Sequence, residues 1–475
     1  MQFPLMIGHE ELLTGSVIDV FNPYSHTIAG CVSAADPSHV ELAVRKAVAI
    51  RPVAARLKTY QKAEALRFIG SEIRAHGNDI AETIVHEVAK PIRDAKNEVE
   101  RAATTFLMAA SVAETMDGTL HTLDIHPSSA NRTGLSKRFP LGVVCAITPF
   151  NFPLNLVAHK IAPALAMGNS VILKPSSQAP ITALRLGRIV AQSGLPDGML
   201  SVLPGPSSVF RSAIEDDRIQ MISFTGSPET GWELKRQCGR KRIALELGGN
   251  AAVIIDGNAQ VDHAVRRCVV GAFSFAGQVC ISVQRILVHQ SIYEQFKLAI
   301  IEQTNRLRVG DPALPETDVG PMIDLEAAVR LENWIEEALG GGGRLLTGGS
   351  RDANRFQPTL LENVPHACTL YREEAFGPVA ILESFDSFDQ ALEITNDSRF
   401  GLQAGVFTSD IDRIWRAYQA LEVGGVIVND VPTIRVDNYP YGGIKESGMG
   451  REGVRYAMEE MSELKMLVLT PVRPG

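Results

Sequence analysis

In the stretch "FAGQVCISVQR", residues 275–285, a single cysteine, Cys280, sits among small and apolar residues. A thiolate there would be a strong nucleophile, whereas a free cysteine is as readily a small buried hydrophobe. Glu246 in "ALELGGN" is a carboxylate placed after an apolar run and before two glycines. Burial would raise its pKa and suit it to general-base work, while a capping or strand-end carboxylate is the plainer role. Asn151 in "TPFNFPLN" lies between aromatic and proline residues, either as a turn-former or as an amide donor aimed into a pocket. Lys174 in "VILKPSSQAP" closes an apolar run and precedes Ser176 and Ser177, groups able to bond a ribose or a phosphate; a surface lysine at a turn is the alternative. "SFTGSPETG" sets Gly226, Ser227 and Gly231 across a strand-to-helix turn whose N–H groups can face a pyrophosphate, although no GxGxxG follows a strand.

These residues need elements to position them. After Arg138, apolar runs alternate with amphipathic ones: "PLGVVCAITPFNFP", "NSVILKPS", "MLSVLPG" and "RIQMISFTGS" read as strands, "HKIAPALAMG" and "PITALRLGRIVAQSG" as helices. That alternation predicts a parallel, doubly wound α/β sheet with its ligands beyond the carboxyl ends of the strands. The loops to watch are therefore 148–155, which begins with Thr148 and Pro149, then 174–178 and 225–231. Upstream, "DPSHVELAVRKAVAI" opens a helical region running to about Gly118, with Asp36 or Ser38 as its N-cap. A second α/β region begins near "ELGGNAAVIIDG" and finishes near "YPYGGIKESGMGREG". The alternating segment near 118–140 and the tail "SELKMLVLTPV" suggest a small projecting sheet able to pair with another subunit.

The chain has 475 residues, 45% of them hydrophobic and 21% charged, which is globular composition and room for two or three domains. A net charge of −8 argues against nucleic acid as a partner. No apolar run approaches bilayer length and the N-terminus lacks a signal-peptide pattern, so no membrane association and a cytoplasmic setting are expected. The six cysteines form no CxxC pair and no cluster with histidine, so neither a metal site nor a disulfide framework is expected.

The motifs "TPFNFPLN", "LKPS", "FTGSPETG", "LELGGN", "GQVC", "EEAFGPV" and "YGGIKESGMGREG", in that order, resemble the aldehyde dehydrogenase superfamily over nearly the whole chain. The resemblance implies a Rossmann-type cofactor domain (1–117 and 138–246), an α/β catalytic domain (247–445) and an oligomerisation arm (118–137 and 455–475), in a homodimer or homotetramer. It implies Cys280 as nucleophile, Asn151 with the Cys280 N–H as oxyanion donors, and Glu246 as the base that hydrolyses the thioester; that glutamate speaks against the CoA-acylating branch. It assigns Thr148, Pro149, Lys174, Ser176, Ser177, Gly226, Ser227, Glu374 and Phe376 to NAD or NADP. Ser177 stands where NAD-preferring members often carry glutamate, which leaves room for a 2′-phosphate. Asn250, where many relatives have lysine, is expected to be a neutral change.

Phe152, Val279 and Ile281 flank the nucleophile and oxyanion donor, and relatives acting on phosphorylated aldehydes commonly have arginine at the position of Val279. A small aliphatic or hydroxy aldehyde such as lactaldehyde is the leading substrate class. An anionic one, a semialdehyde or a phosphorylated or phosphonylated aldehyde, comes second, with Arg101 or Arg435 as the cation. Each arginine has a plainer role, Arg101 pairing with Glu98 on its own helix face and Arg435 pinning a loop. A silent structural or binding protein on the same fold would be expected to lack Cys280, Asn151 or Glu246; all three are present.

Overall fold

The computed structural model describes residues 2–471; residue 1 and residues 472–475, the end of the expected arm, lie outside the described residues. The apolar runs that follow Arg138 form the centre of an eight-stranded sheet. From one edge the order is Gly448–Met449, Arg242–Glu246, Met221–Thr225, Val143–Ile147, Ser170–Lys174, Leu200–Val202, Leu5–Ile7 and Glu10–Leu12. The five strands from Arg242–Glu246 to Leu200–Val202 are parallel. Val143–Ile147, Ser170–Lys174 and Met221–Thr225 are buried along their whole length, as strands covered on both faces must be. The edges are antiparallel: the N-terminal Leu5–Ile7 on one side and Gly448–Met449 on the other.

A second sheet of seven strands follows, in the order Arg344–Thr347, Thr359–Glu362, Val379–Phe385, Val283–His289, Ala251–Ile255, Gln403–Phe407, Gly425–Val428. The chain passes from the first sheet to the second through residues 247–250. It returns to the first sheet at Gly448, opposite Glu246. A third sheet pairs Ser462–Leu469 with Thr133–Pro140 and that strand with Thr119–Thr122, as the alternating pattern there predicts.

Four helices span Pro37 to Thr115, the first capped by Asp36, whose carboxylate accepts from the Ser38 and His39 N–H groups at 2.8 and 3.1 Å. The helix Asn155–Met167 is buried on every side and stops at Gly168, whose φ of 85° glycine adopts without a Cβ penalty.

One ion pair joins the helical region to this buried helix. Lys90 and Glu98 are both fully sheltered from solvent and form a salt bridge. Glu98 also accepts from the Leu154 and Asn155 N–H groups at 2.9 and 3.1 Å, capping the Asn155–Met167 helix from outside the chain segment. Lys90 Nζ donates to the Asn151 carbonyl at 2.5 Å and lies 3.8 Å from the Phe152 ring centroid and 4.6 Å from that of Phe275. The pairing of Arg101 with Glu98 expected from their spacing does not form, because Glu98 is committed to Lys90 and to the helix end; Arg101 turns to Asp437.

Glu98→Ala would leave a buried ammonium unpaired and a helix end uncapped, an expected loss of about 3–5 kcal/mol in folding stability. Urea unfolding of the two proteins checks it.

Candidate active site

Cys280 lies on a turn that is costly to form. Phe275, Ala276 and Gly277 take positive φ angles of 48°, 53° and 66°, and non-glycine residues there each cost on the order of 1–3 kcal/mol. The side chain of Gln278 holds the turn: its Oε1 accepts from the Ile323 N–H at 2.8 Å and its Nε2 donates to the Phe275 carbonyl at 3.3 Å. Cys280 is half-buried, with Tyr441 Oη 3.4 Å from its Sγ. Burial pushes the thiol up to about 12; the Tyr441 hydrogen bond and the Arg435 charge oppose that, while Glu374 and Glu246 add to it.

Asn151 is buried beside this turn, its Nδ2 donating to the Gln278 carbonyl at 2.9 Å. An amide nitrogen carries two protons, so one fixes the side chain and the second is free for a developing oxyanion. Val279 and Ile281 are buried on either side of Cys280, and Phe152 packs against the same cluster, giving an apolar wall.

Glu246 ends its strand with a side chain that has left water. Its Oε2 has no hydrogen-bond partner. Burial first, and the neighbouring Glu452 charge second, raise its pKa well above the ordinary carboxylate range. Glu452 goes the other way, because the cations are bound to it: Lys160 at 3.1 Å and Arg435 at 2.7 Å. The same cluster continues outward. Asp437 accepts from His159 at 2.8 Å and from Arg101 at 2.7 Å and lies 3.9 Å from Arg435 Nε, which has no hydrogen-bond partner. The Arg435 guanidinium stacks 3.9 Å from the Tyr441 ring centroid. Arg435 therefore does more than pin a loop: it stands one side chain away from Cys280. Arg101, 30% exposed, stands at the outer end.

The crossover at 247–250 brings a second group of residues to the same place. A Cβ on Gly249 would sit 2.4 Å from the Cys280 carbonyl oxygen, so no larger residue fits there, and one on Gly248 would sit 2.3 Å from Glu374 Oε2 and displace that carboxylate. Gly249 N–H donates to Glu374 Oε1 at 3.1 Å, and burial pushes that carboxyl up to about 8. Asn250 is more than a neutral change, since its amide donates to the carbonyls of Tyr371 and Glu373 at 2.8 and 3.1 Å and tethers the segment that carries Glu374 and Phe376. Phe376 takes a φ of 45° and meets Phe150 edge-on at 6.0 Å.

Thr148, Pro149, Lys174, Ser176, Ser177, Gly226 and Ser227 all lie at the carboxyl ends of adjacent parallel strands. Thr148 N–H donates to the Lys174 carbonyl at 3.1 Å, joining two of these loops. Ser227 caps the Pro228–Gln237 helix, whose first N–H groups open toward the strand ends. Buried hydroxyls of Thr148 and Thr225 have no partner in the protein, as expected of groups reserved for a ligand. This donor set fits a dinucleotide. Ser177 lines, with Asp36, His39, Pro206 and Val209, a cavity of about 830 Å³.

The motifs do not include several residues that the fold brings here, Lys90, Glu98, His159, Lys160 and Asp437, and they assign no role to Tyr441 and Glu452, which lie within "YGGIKESGMGREG". Lys160 gave one signal, a lysine inside the otherwise apolar "HKIAPALAMG" helix.

A strained cysteine turn, an amide donor, a buried carboxylate and a dinucleotide cradle together define a thiol-dependent oxidoreductase. A family model for the aldehyde dehydrogenase family matches residues 12–467, and the chain belongs to that family as an NAD(P)-dependent aldehyde dehydrogenase. It is 41% identical over 469 residues to a 3-sulfolactaldehyde dehydrogenase of Priestia aryabhattai, covering 98% of each chain. Among solved structures, aldehyde dehydrogenase 21 of Physcomitrella patens in complex with the reaction product succinate superposes with a TM-score of 0.97 at 39% identity, over 99% of this chain and 98% of that one. A glyceraldehyde-3-phosphate dehydrogenase of Methanocaldococcus jannaschii complexed with NADP gives 0.92 at 38% identity, over 96% and 99%.

A carboxyl whose folded pKa exceeds its unfolded value binds more protons when folded, so it costs stability as pH rises from the unfolded toward the folded pKa. Glu246→Gln should therefore flatten the decline in thermal midpoint as pH rises above the ordinary carboxylate pKa, relative to the parent protein, as read by calorimetry across pH.

Proposed function

We propose that this enzyme oxidises a short aldehyde bearing a terminal anionic group to the corresponding carboxylate, with NAD or NADP as oxidant. The observation that carries the reading is the cation excess beside the nucleophile. Lys160, Arg435 and Arg101 face only two ionised carboxylates, Glu452 and Asp437, while Glu246 is pushed toward its neutral form and burial lowers the pKa of His159. An incoming carboxylate or sulfonate would supply the missing negative charge, and guanidinium groups suit such groups. The likeness to a sulfolactaldehyde dehydrogenase and to an enzyme solved with succinate agrees with it. An uncharged hydroxy aldehyde, lactaldehyde among them, is the second reading, favoured by the apolar wall of Phe152, Val279 and Ile281.

In this reading the Cys280 thiolate attacks the carbonyl carbon, forming the C–S bond while the π electrons move to oxygen. The Asn151 amide and the Cys280 N–H receive that oxyanion, each donor contributing roughly 3 kcal/mol to the barrier reduction. NAD or NADP would supply a two-electron acceptor for the hydride that leaves this carbon as the oxyanion collapses, so that Cys280 is left carrying the acyl group as a thioester. Glu246, in its ionised form, takes a proton from water; the hydroxide attacks the thioester, the C–S bond breaks to restore the thiolate, and the product leaves as the acid, which gives its proton to solvent. Lys174, Ser176, Ser177 and the Gly226–Ser227 turn would hold the adenosine half of the cofactor, and Glu374 with Phe376 the nicotinamide half. Ser177 brings no carboxylate of its own to the cavity it lines, which supports NADP alongside NAD. The strand Ser462–Leu469 exposes Leu464, Met466, Leu467, Val468 and Leu469, a surface suited to pairing with a second copy.

Glu246→Gln should release one equivalent of reduced cofactor and then stall. The parent's steady-state rate should climb with pH as Glu246 loses its proton. An unchanged steady state in stopped flow would remove Glu246 as the base.

The substrate class is tested by reduced-cofactor formation with sulfolactaldehyde, succinic semialdehyde and lactaldehyde, NAD and NADP in parallel. The anionic aldehydes should be preferred, and Arg101→Met should raise their KM by about tenfold, the order expected for one charge-assisted contact, while leaving lactaldehyde untouched. Preference for lactaldehyde in the parent would hand the site to the second reading.

A further inference from the structure

We propose that Tyr441 is a catalytic residue whose hydroxyl donates a hydrogen bond to the Cys280 thiolate and shifts the balance from the neutral thiol toward that thiolate. The proposal rests on the reading of Cys280 as the nucleophile and extends it by one residue.

Cys280 is short of partners that favour its ionised form. The nucleophile of this chemistry is the thiolate, yet Cys280 sits where burial favours the neutral thiol. Of the charged groups around it, Glu246 and Glu374 work against ionisation and Arg435 in its favour. Tyr441 Oη lies 3.4 Å from Sγ, within reach of a sulfur hydrogen bond. With a neutral thiol either atom can donate. With a thiolate only the phenol can, and burial together with Cys280 itself keeps the phenol protonated by raising its pKa further.

The hydroxyl is also aimed with care. Tyr441 N–H donates to the Glu452 carbonyl at 3.0 Å and Glu452 N–H to the Tyr441 carbonyl at 2.6 Å, a two-way bridge that fixes the backbone. The Arg435 guanidinium, held by Glu452 at 2.7 Å, lies over the ring at 3.9 Å and fixes its plane. A cation on the ring face also draws electron density from the phenol and strengthens it as a donor. The ring is buried, so the hydroxyl is shielded from bulk water as a competing partner.

Tyr441→Phe removes one oxygen and retains the ring, the stack and the bridge. The readout is alkylation of Cys280 by iodoacetamide as a function of pH, followed on the Cys280 peptide by mass spectrometry, with no aldehyde present. A hydrogen bond to a charged group is worth about one pKa unit or more, so the alkylation midpoint should move up by about one unit in the variant. The less stabilised thiolate is intrinsically more reactive, with a Brønsted slope of about 0.4–0.5, so the rate at neutral pH should fall only about threefold while the alkaline plateau rises. The burst of reduced cofactor with aldehyde should slow at neutral pH and recover as pH is raised, with cofactor affinity unchanged.

Superimposable alkylation profiles would overturn the proposal, and so would an unchanged profile accompanied by a raised aldehyde KM, which would make the hydroxyl a substrate contact. Cys280→Ala separates the two levels of inference. Continued aldehyde oxidation by that variant would remove Cys280 as nucleophile, and Tyr441 with it. An inactive Cys280→Ala beside an unshifted Tyr441→Phe would remove Tyr441 alone.

Discussion

A lysine ammonium buried away from water is tolerable only where its charge is met on the spot, and the Lys90–Glu98 pair does this while touching both the loop that carries Asn151 and the turn before Cys280. Lys90 holds the Asn151 carbonyl and lies close to the Phe152 and Phe275 rings, so one ammonium bears on both the Asn151 loop and the turn that leads to Cys280. Glu98 satisfies the two N–H groups that open the buried Asn155–Met167 helix. That helix carries His159 and Lys160 into the charged cluster. Side chains from the N-terminal helices thereby set the geometry of a site whose reactive groups come from distant parts of the chain. Glu87 repeats the device a few residues earlier, accepting from Thr182 N–H at 2.9 Å at the start of the Pro180–Ala191 helix, next to the Lys174–Gln178 loop.

The second constraint is the division of charge between two neighbouring carboxylates. Glu452 receives Lys160 and Arg435 and stays ionised; Glu246 receives no direct cation and is driven toward the protonated form. Environments that push two titratable groups apart are how one fold assigns acid and base roles near neutral pH. The arrangement leaves Arg435 with its guanidinium over Tyr441 and its Nε without a partner. One guanidinium thus borders both the Glu452–Asp437 cluster and the aromatic ring beside Cys280.

Positive φ angles at non-glycine residues recur beside the candidate site: those of Phe275 and Ala276 precede Cys280, and that of Phe376 follows Glu374. Each is held by side-chain amides, Gln278 on one turn and Asn250 with Gln284 on the other, whose hydrogen bonds end on backbone groups. Such conformations persist only where the surroundings over-determine them.

Much of this architecture is legible in the amino-acid sequence. The apolar runs after Arg138 name the parallel strands because a strand buried on both faces has little choice but a continuous apolar sequence. Asp36 and Gly168 mark helix ends through local capping chemistry that needs no partner elsewhere. The strand-end loops holding Asn151, Lys174 and Gly226 follow from that alternation, whereas the lack of room for a Cβ at Gly249 of "ELGGN" is visible only in the fold. Periodicity does not reveal the antiparallel edges at Leu5–Ile7 and Gly448–Met449, since short edge strands carry too few residues to show a period. Nor does it reveal Lys90, Tyr441 or Glu452, or that Arg101 answers Asp437 rather than Glu98. Sequence alone determined the elements and the reactive groups, because hydrophobic period and side-chain chemistry are local properties. The tertiary structure alone decided which charges meet, because burial and pairing depend on residues hundreds of positions apart and set the cost of every charge they bring together.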